Sequence, residues 1–174
     1  AFEVAANANL EARQLVEAVK ILSSASGMSG MISGQMKDIA SEGVTITLEQ
    51  MKEIHREKTG ELLLAAVRLG NLFVLDAKMK EAFVSYATHF GLAFQIQNDL
   101  QDVCWTSEQT GKETGKDSEL SKNTYPSLLG VEGAKETLAS EIASCKRALE
   151  EVVFTPENEQ TKALLVEFLT YLEI

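Results

Sequence analysis

Apolar residues recur at helical spacing from one end of this chain to the other, and no stretch alternates with the two-residue period of a half-buried strand. That single pattern restricts the fold to helices packed on helices through their apolar stripes. Pro occurs only twice, so few positions force a helix to stop. Hydrophobic residues make up 45% of the 174 positions, enough for one domain with its own core and too many for a disordered chain. The expected architecture is an all-α bundle forming a single domain over residues 1–174.

The periodicity predicts a first helix from Phe2 to Ser24 and a second, rich in small residues, from Gly30 to Ser41. Thr47 is a suitable N-cap for one long helix over TLEQMKEIHREKTGELLLAAVRLG, with Glu49 and Gln50 in its first turn. A further helix runs from Asp76 to Cys104. The polar, glycine-containing segment TSEQTGKETGKDSELSKNT then reads as a loop. Helices over Tyr125 to Leu129, Glu132 to Val153 and Glu157 to Leu172 complete the set. Pro126 suits a first helical turn, and Pro156 marks the break before the last helix.

Charge narrows the function. The chain carries 26 acidic and 16 basic residues, a net charge of −10, which argues against nucleic acid or an anionic membrane as partner. No apolar run reaches the roughly 18 residues of a membrane span. AFEVAANANLEARQ has neither the basic start nor the apolar middle of a signal peptide. The chain opens at Ala1 within a predicted helix, so an upstream part is expected. Cys104 and Cys145 have no CxxC spacing and read as two reduced thiols of a cytoplasmic protein.

Three stretches carry candidate chemistry. In FQIQNDLQD (94–102), Gln95, Asn98, Asp99 and Asp102 fall within about one 100° sector of a helix, while Ile96, Leu100 and Val103 form a separate apolar face. Gly91, one turn earlier on the polar sector, is expected to leave open space there. Carboxylates in a mostly apolar helix need cations or strong donors, and oxygen ligands without His or Cys favour a hard ion, Mg²⁺ above all. The alternative is a solvated polar face. In HREKTGELL (55–63), His55, Lys58 and Thr59 share a face that Leu62 continues. A Lys beside a Thr hydroxyl can hold a phosphate, although an exposed charged face before a buried LLLAA run explains the same residues. No ExxH or HxxxH spacing supports a zinc or di-iron site. In GKETGKDSELSKNTYP (111–126), Lys112, Lys116 and Lys122 lie among glycines that let backbone N–H groups approach a ligand; the spacing is not that of a Walker A loop.

Together with GMISGQMKD (30–38), these stretches stand in the order and spacing of the all-trans polyprenyl diphosphate synthases, the farnesyl and geranylgeranyl diphosphate synthases among them, and the chain resembles that family over nearly its whole length. The resemblance implies an isoprenoid-synthase helical bundle around a deep cavity, usually a homodimer. It implies condensation of an allylic diphosphate with isopentenyl diphosphate, with Mg²⁺ held by two aspartate-rich motifs. FQIQNDLQD matches the second motif, with Asn98, Asp99 and Asp102 as metal-facing positions and Gln95 as an allylic-substrate contact. Lys58 and Thr59 match the pair that contacts the allylic diphosphate and the nascent cation. Lys112 and Lys122 match diphosphate contacts, while Lys116 and Asp117 lie in the same loop without an assignable role.

Two departures stand out. The first aspartate-rich motif and the upstream Arg and Lys residues that bind isopentenyl diphosphate are absent from the 174 residues, so the chain is expected to be the C-terminal portion of a synthase, inactive alone. Asn98 stands where the family usually has Asp, and an amide oxygen is a neutral, weaker ligand for Mg²⁺. Both features are also compatible with a non-catalytic subunit that tunes an active synthase. A terpene cyclase would need Ser or Thr four residues after Asn98 and Glu eight after, where Asp102 and Thr106 stand.

Overall fold

A computed structural model of the chain describes residues 1–105, 122–156 and 158–173, and among these every regular element is helical. In order they are α1 (Phe2–Ala6), α2 (Ala12–Ser26), α3 (Met31–Ala40), α4 (Leu48–His55), α5 (Glu61–Gly70), α6 (Ala77–Cys104), α7 (Tyr125–Glu150) and α8 (Glu159–Thr170), with a π turn, Arg56–Gly60, joining α4 to α5. The loop carrying Lys112, Lys116 and Asp117 lies outside the described residues.

Local polar side chains decide where the helices begin and end. The single helix expected from Phe2 to Ser24 is two, because Asn7 Nδ2 donates to the Glu3 carbonyl at 2.8 Å and closes α1. Glu11 then opens α2 in a capping box with Gln14. Thr47 caps α4 as expected: its hydroxyl accepts from Gln50 N at 3.2 Å, and Gln50 Oε1 accepts from Thr47 N at 2.9 Å. Asp76 caps α6 through Met79 N at 2.9 Å. The two helices expected around Tyr125–Leu129 and Glu132–Val153 are both present within α7, where they meet end to end across a break in helical geometry. The kink falls at Gly130, whose φ of 72° is a left-handed conformation that costs a glycine little.

The core lies where α6 packs along α7. Tyr86, Ala93, Ile96 and Leu100 of α6 meet Tyr125, Ala134, Leu138, Ile142, Cys145 and Leu149 of α7, and Leu169 of α8 adds to the same cluster. Tyr86 Oη donates to the Leu165 carbonyl at 2.7 Å, which ties α6 to α8 and satisfies a buried hydroxyl. Burial pushes the Tyr86 phenol and the Cys145 thiol up, the latter to about 12, so Cys145 is an inert packing thiol. Cys104 is free and exposed. Ile96 and Leu100 are fully buried, but Val103, expected on the same face, is 54% exposed; the apolar stripe ends one turn before the helix does.

Asn123 fastens the segment before α7 to the connection between α3 and α4. Its Oδ1 accepts from Ile46 N at 3.2 Å, and its Nδ2 donates to the carbonyls of Val44 at 2.8 Å and Ser41 at 3.2 Å. This tie sets the start of α7 against the segment that leads into α4. Among the described residues no helix is long and apolar enough to cross a membrane.

Candidate functional site

The π turn is the local feature that builds the site. Glu61 N reaches the carbonyl of Arg56, so one extra residue is wound into what the sequence predicts as a continuous helix. The extra residue rotates the side chains beyond it, and the face expected for His55, Lys58 and Thr59 is split. His55 is buried against the Tyr125 ring, with centroids 5.7 Å apart. Lys58 Nζ donates to Asp38 Oδ2 of α3 at 2.6 Å. Thr59 Oγ1 donates to Gln95 Oε1 of α6 at 3.3 Å.

Two glycines allow the elements to come this close. A Cβ on Gly34 would stand 2.2 Å from Lys58 N, so α3 lies directly on the backbone of the π turn. A Cβ on Gly91 would meet Gly60 Cα at 3.2 Å. Gly91 is therefore a helix-crossing residue rather than the open space expected from the sequence; its missing side chain is filled by the backbone of the turn.

From Thr59 a polar relay runs across α6 to the start of α7. Gln95 Nε2 donates to Asp99 Oδ1 at 3.2 Å, and Tyr125 N donates to Asp99 Oδ2 at 3.0 Å. Asp99 is buried, and these donors answer its desolvation: a carboxylate at a helix N-terminus accepts one of the amides that the helix leaves unpaired. Asn98, Asp102 and Lys122 are half-buried and each has its own interaction. No group of three His, Cys, Asp or Glu side chains among the described residues is arranged to hold a metal ion. The donors are nonetheless of the right kind for Mg²⁺, which takes one or two carboxylates and completes its shell with water and phosphate oxygens.

Two contributors could not be assigned from the sequence. Asp38 lies within GMISGQMKD, but its pairing with Lys58 is a contact between elements. The amide of Tyr125 has no side-chain signature. A groove of about 610 Å³ between α4, α5 and α6 is lined by Glu49, Arg56, Glu61, Arg68 and Thr88, among others. Lys58, Thr59, Gln95, Asn98, Asp99 and Asp102 do not line it, so the chemistry-bearing side chains lie elsewhere.

His55 gives the site a measurable titration. Burial, the dominant influence, holds its imidazole well below the ordinary 6.5, at about 4; the Asp38 carboxylate acts upward and the Lys58 ammonium downward. Between those values the unfolded chain binds a proton that the folded chain does not, so stability is full above pH 6.5 and falls as pH drops towards 4. The expected loss is on the order of 3 kcal/mol across that window. Urea unfolding at pH 7 and pH 4.5 should show it, and His55→Leu should flatten the dependence; an unchanged profile in that variant would assign the effect to other groups.

The architecture is that of the all-helical isoprenoid synthases. A geranyltransferase from Helicobacter pylori, solved in complex with magnesium and isoprenyl diphosphate, superposes with a TM-score of 0.79 at 32% identity, covering 98% of this chain and 55% of its own. The chain is 37% identical over 173 residues to the farnesyl diphosphate synthase of Haemophilus influenzae, which covers 97% of this chain and 57% of that protein. It is 42% identical over 132 residues to the farnesyl diphosphate synthase of Geobacillus stearothermophilus, covering 75% and 44%. Residues 1–156 match the family described as polyprenyl synthetase, and the chain belongs to that family. It spans about half the length of these curated relatives.

Proposed function

We propose that the protein carrying this chain is a prenyltransferase that makes short-chain all-trans prenyl diphosphates from an allylic diphosphate and isopentenyl diphosphate, with Mg²⁺ as cofactor. The observation that carries the reading is the relay Thr59–Gln95–Asp99 with Lys58 beside it, in a chain of the polyprenyl synthetase family. The row of oxygens on α6 and a lysine next in sequence to the Thr59 that joins it suit a diphosphate bridged by metal ions.

In this mechanism the allylic C–O bond breaks and its electron pair leaves with the diphosphate. The Lys58 ammonium stabilises the charge that grows on the departing oxygens. Mg²⁺, when bound at Asp99, Asp102 and Asn98, supplies Lewis-acid neutralisation of the same group. The oxygens of Thr59 and Gln95 present the negative ends of their dipoles to the allylic cation, and their mutual hydrogen bond limits where they can point. The double bond of isopentenyl diphosphate attacks that cation, and a proton is then lost to the departed diphosphate. Lys112 and Lys122 are assigned as further diphosphate contacts. The protein is proposed to act as a cytoplasmic homodimer.

The test is an assay of the full-length protein with Mg²⁺, isopentenyl diphosphate and a series of allylic diphosphates, with the 174-residue chain alone as the inactive comparison. Asn98→Asp adds a carboxylate at the metal edge, and we expect roughly 3- to 10-fold higher turnover or tighter Mg²⁺ dependence, as a charged oxygen replaces an amide. An unchanged rate and Mg²⁺ requirement would remove Asn98 from the metal shell. Absence of turnover by the full-length protein with every allylic substrate would instead favour a non-catalytic subunit.

A further inference from the structure

Two ion pairs of opposite polarity join α3 to the π turn side by side. Lys37 Nζ donates to Glu57 Oε1 at 2.8 Å, and Lys58 Nζ donates to Asp38 Oδ2 at 2.6 Å. Lys37 also reaches Glu53 Oε1 at 2.6 Å. The order along α3 is cation then anion, and along the turn it is anion then cation. A slip of one residue between the elements would set Lys37 against Lys58 or Asp38 against Glu57, so the charges specify a single register.

We propose that Asp38 is a positioning residue for Lys58, holding the ammonium where the diphosphate departs; the proposal rests on the function assigned above. Gly34 and Asp38 lie one helical turn apart on α3 and therefore on one face. Gly34 meets the backbone of Lys58 and fixes where its side chain begins. Asp38 meets the far end of that side chain and fixes where it stops. A lysine otherwise has many rotamers to lose when it engages a ligand, and here that loss is met during folding. The ammonium has three donors, of which Asp38 takes one. Lys58 has 31% and Asp38 21% of its side-chain surface exposed, so the pair sits at a rim a ligand can reach.

A preoriented cation acts where charge develops, so its loss is felt in the transition state more than in substrate binding. In the full-length protein Asp38→Ala is expected to lower kcat about 10- to 30-fold while KM for the allylic diphosphate changes less than about 3-fold. Asp38→Asn keeps a hydrogen-bond acceptor at the same reach and should recover most of the loss. The deciding measurement is the double variant: if Asp38 acts through Lys58, Asp38→Ala costs nothing further in a Lys58→Ala background. Lys37→Ala loosens the same two elements without touching Lys58 and should leave kcat within about 2-fold of the unsubstituted protein. Multiplicative losses in the double variant, an Asn variant as slow as Ala, or an equal loss from Lys37→Ala would each overturn the proposal. The same cycle is read by calorimetric affinity for inorganic pyrophosphate with Mg²⁺, which carries the charge of the departing group. Pyrophosphate binding without turnover overturns the prenyltransferase reading and leaves the cycle to decide Asp38. Turnover with independent effects overturns the role of Asp38 alone, and absence of both turnover and binding overturns both.

Discussion

Asp99→Ala in the full-length protein is expected to lower turnover by about 10² to 10³-fold, the usual scale for removing a charged group aimed at developing charge. It should also cost about 2–4 kcal/mol of stability, because the Tyr125 amide and the Gln95 side chain each lose a buried charged acceptor. Those two losses have different causes, and Asp99→Asn separates them. An asparagine oxygen can still accept from Tyr125 N, so most of the stability should return. The charge does not return, and turnover should stay low if Asp99 faces metal and diphosphate. An active and stable Asp99→Asn protein would show that Asp99 serves α7 as a cap and does no chemistry. Turnover and urea unfolding, measured on both variants, decide between these outcomes.

Gly34→Ala is expected to destabilise the chain by about 3 kcal/mol or more, since the new methyl would lie 2.2 Å from Lys58 N, 2.6 Å from its Cα and 2.8 Å from the Glu57 carbonyl carbon. All three are backbone atoms, which no side-chain rotation can relieve. For a chain of this size the shift in Tm is roughly 6–12 °C. The displaced atoms belong to the π turn, so Lys58 and Thr59 should move with it and turnover should fall as well. Gly70→Ala is the control of opposite sign: its Cβ would meet nothing within 4 Å, on a helix where alanine is favoured by about 0.5–1 kcal/mol. A Gly34→Ala protein as stable as the unsubstituted one would mean that α3 does not lie on the turn.

The helical class, the caps at Thr47 and Asp76 and the long α6 follow from local patterns. Apolar spacing and capping residues act over one or two turns, and they act on the chain whatever surrounds it. The break between α1 and α2 leaves no mark in the apolar period, which runs through it; a single asparagine reaching back to Glu3 outweighs that period. The family was legible because four motifs keep their order. Their geometry was not. On an ideal helix His55, Lys58 and Thr59 share one side, whereas the π turn sends them to Tyr125, Asp38 and Gln95.

One of the carboxylates in the apolar helix α6 owes its place to packing between distant segments. Asp99 is tolerated because the first turn of α7 supplies an amide and Gln95 a second donor, a partnership between segments 26 residues apart in the chain. Which segments are helical, where several of them start and which side chains carry charge can be read from the chain alone, since those depend on neighbours within a turn. That Gly34 and Gly91 are contact points, that Asp38 holds Lys58, and that Asp99 caps a distant helix emerges only in the folded bundle. Each of these depends on how closely two backbones approach, which is set by packing across the whole bundle and leaves no periodic trace in either segment.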